Sequence, residues 1–153
     1  MFKYKFKKNI RGLSLMNLLV SLGIIALLAT VTIPYLRKYQ PNLKLNGSAR
    51  DMTSDLRLAQ QLTVTEQVIH QVLFNVMNDS YQIIKVGSPD TIIKSVSLDG
   101  DVSIQQVIDL TDDTVVFNYY GSVSESGQVI LININDNIAT INIKPSGYVQ
   151  LNQ

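Results

Sequence analysis

The chain has 153 residues, a formal net charge of +1, no cysteine and one histidine. That is room for one globular domain with an extension; it excludes a disulfide framework and a thiolate metal site, and a lone histidine excludes most zinc sites. The near-zero net charge hides an asymmetry: residues 1–45 hold eight basic residues and no acid, whereas residues 46–153 hold five basic against twelve acidic residues, net −7.

The first ten or so residues form a basic leader of Lys3, Lys5, Lys7, Lys8 and Arg11, ending at Gly12. An apolar run without formal charge follows at once and covers residues 13–33, 21 in all. At about 1.5 Å per helical residue it reaches roughly 30 Å, the thickness of a bilayer's hydrocarbon core. Its twelve Leu, Ile and Val residues favour insertion, partly offset by Ser14, Asn17, Ser21, Thr30 and Thr32, and Gly23 and Ala26 would let a neighbouring helix approach closely. The dense leader charge places the leader on the cytoplasmic side and the acidic remainder outside. A conventional secretory signal has a shorter apolar region and a small-residue cleavage site, and Leu27-Leu28-Ala29 fits that poorly. An uncleaved anchor is the other reading that hydropathy alone allows.

Pro34 removes a backbone donor and crowds the carbonyl of Thr30, so the helix is expected to kink or loosen there; Pro41 and Gly47 extend the flexible zone. The domain division expected is a leader at 1–12, a transmembrane helix with a kinked linker at 13–45, and a globular domain at 46–153. Within that domain Leu45, Ala49, Met52, Leu56, Ala59 and Thr63 alternate by four and three, which predicts an amphipathic helix over 46–66. Ser48 or Asp51 would cap a fresh start after Gly47, with Asp51 and Asp55 in first turns favoured by the helix dipole.

From residue 67 short β-branched runs alternate with turn residues. Strands are expected at 68–77, 81–86, 91–98, 102–108, 114–120, 128–135, 138–144 and 147–151, with antiparallel neighbours. In the last long hairpin Ile130, Ile132 and Ile134 alternate with Leu131 and Asn133, and Ala139, Ile141 and Ile143 alternate with Thr140 and Asn142, so that one face is apolar and the other largely polar. The amphipathic helix covers the apolar face, an α+β arrangement.

Nothing in the chain points to catalysis. His70 reads as a structural residue of a strand. The oxygen-rich turns at 99–101 and 133–137 lack a full calcium-ligand sequence, and the serines at 122–126 lack a partnered base. No cofactor and no metal is implied.

Two stretches carry a resemblance. Arg11-Gly12 followed by Leu13-Ser14-Leu15-Met16-Asn17 resembles the class III signal of type IV pilins and type II secretion pseudopilins. Residues 49–66, with Asp55-Leu56-Arg57-Leu58-Ala59-Gln60-Gln61-Leu62 running straight into a first strand at Gln67-Val68-Ile69-His70, and the 128–144 hairpin closed by Ser146-Gly147-Tyr148-Val149, look like the H-type minor pseudopilins (GspH) and FimT-type minor pilins. The resemblance implies a pilin-like fold, with a long N-terminal helix whose first half spans the membrane packed on an antiparallel sheet. It also implies removal of the leader by a prepilin peptidase between Gly12 and Leu13, N-methylation, and storage in the bacterial inner membrane with the body periplasmic or extracellular. Assembly through a helix that includes Asn17, Gly23 and Pro34 would follow, with other pilin or pseudopilin subunits as partners.

Asn17 departs from the glutamate usual at the fifth mature position, which in the family is thought to pair with a neighbour's N-terminal amine; an amide accepts a hydrogen bond but cannot neutralise that charge. Some FimT-type proteins resemble DNA receptors, which leaves a membrane-tethered DNA-uptake receptor or adhesin as the alternative. The stretch at 144–153 holds only one lysine, however, and a body at −7 repels a duplex, so nucleic acid is not an expected partner.

Overall fold

The structure is a computed structural model and describes residues 14–152; the expected leader and the Gly12-Leu13 junction lie outside them. One helix, α1 (Leu15–Glu66), is followed by eight strands: β1 (His70–Asn75), β2 (Ser80–Lys85), β3 (Thr91–Ser97), β4 (Val102–Ile108), β5 (Thr114–Phe117), β6 (Gly127–Asn133), β7 (Ile138–Ile143) and β8 (Val149–Asn152). A single 3-10 turn, Thr111–Asp113, precedes β5. The chain divides into two compact units, Met1–Lys38 and Tyr39–Gln153.

Where an interrupted helix was expected, α1 is continuous through Pro34, Pro41 and Gly47 for 52 residues. Each proline removes one bond from the ladder, and packing carries the helix past the losses in the body. Pro41 is itself buried, and Gly47 is flanked by buried Leu45 and Ala49. The expected stripe is the buried one, Leu45, Ala49, Met52, Leu56, Ala59 and Thr63. Asp51 and Asp55 therefore lie far from the helix start, and the dipole argument for them fails.

The strands form two four-stranded antiparallel sheets instead of one. The first runs β3-β2-β1-β5 and the second β4-β6-β7-β8. In the first, His70, Val72, Phe74, Tyr81, Ile83, Val115 and Phe117 are buried; in the second, Val102, Ile104, Val129, Leu131, Ala139, Ile141, Ile143 and Val149 are. With Leu45, Ala49, Met52, Leu56 and Ala59 of α1, the apolar side chains among these make one hydrophobic core. The register of β2 on β3 slips between Ile83 and Ile84, where Ile93 of β3 is left without a partner, as in a bulge.

The β6–β7 hairpin is paired as expected, Val129 opposite Ile141 and Leu131 opposite Ala139, but its inner face on β6 is not the isoleucine face. Ile130 and Ile132 face outward and are half-buried, Ile134 is 64% exposed, and Asn133 is inside at 4%. Strict alternation says which residues share a face, and a one-residue choice decides which face is inside. Asn133 tolerates burial because its amide donates to Asn42 Oδ1 at 2.8 Å while its carbonyl accepts from the Asn135 and Asn137 amides.

Candidate functional site

The first unit consists, among the described residues, of the start of α1. From Leu15 at 74% exposure through Ile33 to Tyr35 at 76%, its large apolar side chains face outward. It is a helix long and apolar enough to cross a membrane, with none of that window buried inside the protein. Burying such side chains is worth about 25 cal/mol per Å² of apolar area, so this surface calls for lipid or a neighbouring protein.

Its hydroxyls suit that environment. Ser21 Oγ donates to the Leu18 carbonyl, Thr30 Oγ1 to Leu27 and Thr32 Oγ1 to Leu28, at 2.9, 2.7 and 2.9 Å. Each is satisfied on its own helix, which removes most of the cost of taking it into hydrocarbon. Asn17 is exposed and, among the described residues, its amide has no such bond. Gly23 has open space where a Cβ would sit. Pro34 is exposed and leaves the Thr30 carbonyl without its usual i+4 donor. The sequence-predicted site residues Asn17, Gly23 and Pro34 thus all lie on this exposed helical segment, spread along its length rather than gathered at a point.

The second unit anchors its part of α1 by polar contacts that the sequence reading missed. Asp55, only 5% exposed, accepts from Tyr81 Oη at 2.7 Å and, through both carboxylate oxygens, from Lys94 Nζ at 2.7 Å. Burial, and then the Asp55 carboxylate, push the Tyr81 phenol well above its ordinary range. Asp55 lies three residues after Met52 and four before Ala59, on the buried stripe itself, so helical spacing marks it as an acid that must find a partner.

Nearer the start of the unit, Lys44 Nζ donates to Asp99 Oδ1 at 2.9 Å and Asp101 Oδ2 at 2.6 Å, an ammonium seated in the turn that had suggested calcium. Hydrogen bonding to Asp101 and then Asp99 raises the Lys44 pKa, and the bond from Lys44 lowers that of Asp99. Asn42 Oδ1 also accepts from Asn137 Nδ2 at 2.6 Å. Further along, Arg57 donates to the Val149 carbonyl at 3.0 Å and Gln60 Nε2 to the Gly121 carbonyl at 2.6 Å. Beside that contact two turns approach each other at Gly121 and Gly147, both in the left-handed region at φ +82° and +78°; a Cβ on Gly147 would run into the Gly121 carbonyl oxygen.

His70 is fully buried in β1 with Nδ1 2.8 Å from the Val68 carbonyl, so that Nδ1 carries the proton and donates. Its Nε2 has no hydrogen-bond partner and stands 3.8 Å from Glu66, whose carboxylate is held below its ordinary pKa by the bond from Lys85 at 2.6 Å. Among the described residues no group of three or more His, Cys, Asp or Glu is placed to hold a metal ion.

No protein-family model matches the sequence, and no curated protein matches it. Solved structures do. The minor pseudopilin EpsH from the type 2 secretion system of Vibrio cholerae superposes with a TM-score of 0.62 at 10% identity, over 71% of this chain and 96% of that one. The type IV minor pilin FimU of Pseudomonas aeruginosa gives 0.59 at 11% identity, over 75% of this chain and 92% of that one. At such identities the likeness is one of fold: a long N-terminal helix with two antiparallel sheets, the pilin-like α+β arrangement.

Proposed function

We propose that the chain is a minor pilin or pseudopilin, a structural subunit stored in the bacterial inner membrane that assembles through its N-terminal helix into a type IV pilus or type II secretion pseudopilus. The observation that carries the reading is the row of exposed apolar side chains along the start of α1 in a chain of pilin-like fold. A helix with no polar face has no stable place in water, and its exposed Leu, Ile and Val side chains serve equally as a lipid-facing surface in storage and as a packing surface among other such helices.

In this reading the prepilin peptidase removes residues 1–12 after Gly12, and Leu13 becomes the new, N-methylated terminus. The apolar helix then remains on the mature protein, with Asn17 and Gly23 at the helix-to-helix contacts. The acidic body faces the periplasm or the cell exterior and contacts neighbouring subunits. The work is structural, and no substrate is turned over.

Mass spectrometry of the protein recovered from its host membrane tests this. A mature N-terminus at Leu13 is the expected result. An intact Met1 leaves only a tethered receptor or adhesin, and a cut beyond Ile33 removes the assembly helix; either overturns the filament reading.

A further inference from the structure

The end of the apolar segment carries residues that neither lipid tails nor the core of a helix bundle call for. Tyr35 is 76% exposed, and Arg37 and Lys38 follow it. Among the described residues Arg37 makes no ion pair, and from residue 1 to residue 50 the chain contains no acid that could offer one. An exposed cation without a carboxylate on its own stretch of helix has to find its anion elsewhere.

Helix geometry says where. Ile24 lies one residue from the midpoint of the apolar run 13–33. Tyr35 is eleven residues further on, about 16 Å at roughly 1.5 Å per residue, and Arg37 about 20 Å. Half the hydrocarbon thickness of a bilayer is about 15 Å. With Ile24 at the midplane, the Tyr35 ring lies at the hydrocarbon boundary, where an aromatic body with a polar tip is most at home, and the Arg37 guanidinium lies among the headgroup phosphates. Its planar fork fits a phosphate oxygen pair, and the negative potential of anionic lipid reaches it within a Debye length.

We propose that Tyr35 and Arg37, with the charge of Lys38 beside them, form a headgroup-binding belt whose ligand is an anionic phospholipid surface on the side of the membrane that holds the body. The belt sets the depth at which the helix is stored and places Pro34 at the hydrocarbon boundary. Leaving the bilayer for a filament then requires these headgroup contacts to be given up. This rests on the membrane-storage reading above, and the experiment separates the two.

The chain has no tryptophan, so a single substitution makes a single fluorophore. Full-length protein is reconstituted into vesicles of equal parts phosphatidylcholine and phosphatidylglycerol, and into vesicles of phosphatidylcholine alone, with lipids brominated either near the glycerol or at the chain end. Ile24→Trp reports the midplane and Tyr35→Trp the belt. The expected result is chain-end quenching for Ile24→Trp and glycerol-end quenching for Tyr35→Trp. The latter should be deeper and blue-shifted when phosphatidylglycerol is present, and should lose that dependence at high salt or in an Arg37→Gln background. If Ile24→Trp is quenched at depth while Tyr35→Trp stays red and unquenched, the belt is overturned and membrane storage stands. Quenching of Tyr35→Trp that ignores phosphatidylglycerol, salt and Arg37→Gln also overturns it, since the anionic surface is then not the ligand. If Ile24→Trp is unquenched, membrane storage fails and takes the belt with it.

Discussion

Replacing Asp55 by alanine should destabilise the body by about 2 kcal/mol, and the figure can be assembled from the surroundings of the side chain. Tyr81 is 1% exposed and its hydroxyl donates to Asp55 at 2.7 Å, so truncation strands a buried donor, a loss of about 1–3 kcal/mol. The Lys94 side chain is 45% exposed and rehydrates when released, so its share is about 0–1 kcal/mol. Two terms oppose these: the buried carboxylate no longer has to be desolvated, and alanine exceeds aspartate in helix propensity by roughly 0.5 kcal/mol.

Guanidinium unfolding of the full chain in mild detergent, followed by circular dichroism, measures the sum. Asp55→Asn keeps an acceptor of the same shape for Tyr81 and should lose about half as much, while Tyr81→Phe alone should cost about 1–2 kcal/mol. Because the two side chains share one bond, the double variant should fall short of additivity by about 1 kcal/mol or more. Asp55→Ala within about 0.5 kcal/mol of the unsubstituted chain, or strict additivity with Tyr81→Phe, would refute the assignment of this bond as an anchor of the helix.

Three further changes are informative. Asn17→Glu restores a carboxylate able to neutralise a neighbour's terminal amine, and should raise crosslinking to the major subunit or incorporation into filaments; no change in either counts against Asn17 as a docking residue. Gly147→Ala places a Cβ on the Gly121 carbonyl at φ +78° and should cost about 1–3 kcal/mol by the same unfolding assay, whereas Gly100→Ala, with open space around it, should cost far less. The ion pairs of Lys44 predict a pH dependence of fixed sign. The folded-state pKa of Asp99 is lowered from 3.8, so its contribution is present above that value and lost as pH falls through the lowered one; that of Lys44 is raised from 10.5, so its contribution is present below 10.5 and lost as pH rises through the raised one. The stability gap between the unsubstituted chain and Lys44→Ala should therefore be level across neutral pH and close at both extremes, and a gap that peaks or reverses near neutrality contradicts the pairing.

The strands were legible because their ends are chemically marked. Asp99-Gly100-Asp101 stops one strand and starts the next, and β4 spans 102–108 as the turn residues around it lead one to expect. Helix periodicity also named the buried stripe from Leu45 to Thr63. What local pattern cannot hold is anything decided by distant partners. Pro34 and Gly47 read as breaks because each is locally unfavourable, and in the body the packing of Pro41, Leu45 and Ala49 outweighs that cost. Ile130 and Ile132 read as the apolar face because isoleucine is the more hydrophobic choice. The pairing of Leu131 with Ala139 and the Asn42 bond to Asn133 put the other face inside. Eight antiparallel strands likewise do not say where one sheet ends; β1 turns to β5 and β4 to β6, both across long sequence separations. In the exposed segment the reading reached Asn17, Gly23 and Pro34 by composition and resemblance, but passed over Tyr35 and Arg37, whose meaning depends on their distance from the midpoint of the apolar run.

The two prolines of α1 separate its exposed apolar stretch from the stretch that is buried in the body. Pro34 leaves the Thr30 carbonyl without a donor and Pro41 leaves that of Arg37 without one, and between them no other residue lacks a backbone N–H. Before Pro34 the helix presents apolar side chains outward and satisfies its hydroxyls on its own backbone, so in hydrocarbon its ladder has no competitor. From Pro41 onward buried side chains hold it, together with the Asn42, Lys44 and Asp55 bonds. The residues between the prolines are exposed on every side. If the chain is stored in a membrane as proposed, this exposed stretch, between a lipid-facing segment and a packed body, is where the helix is expected to yield when its apolar end changes partners.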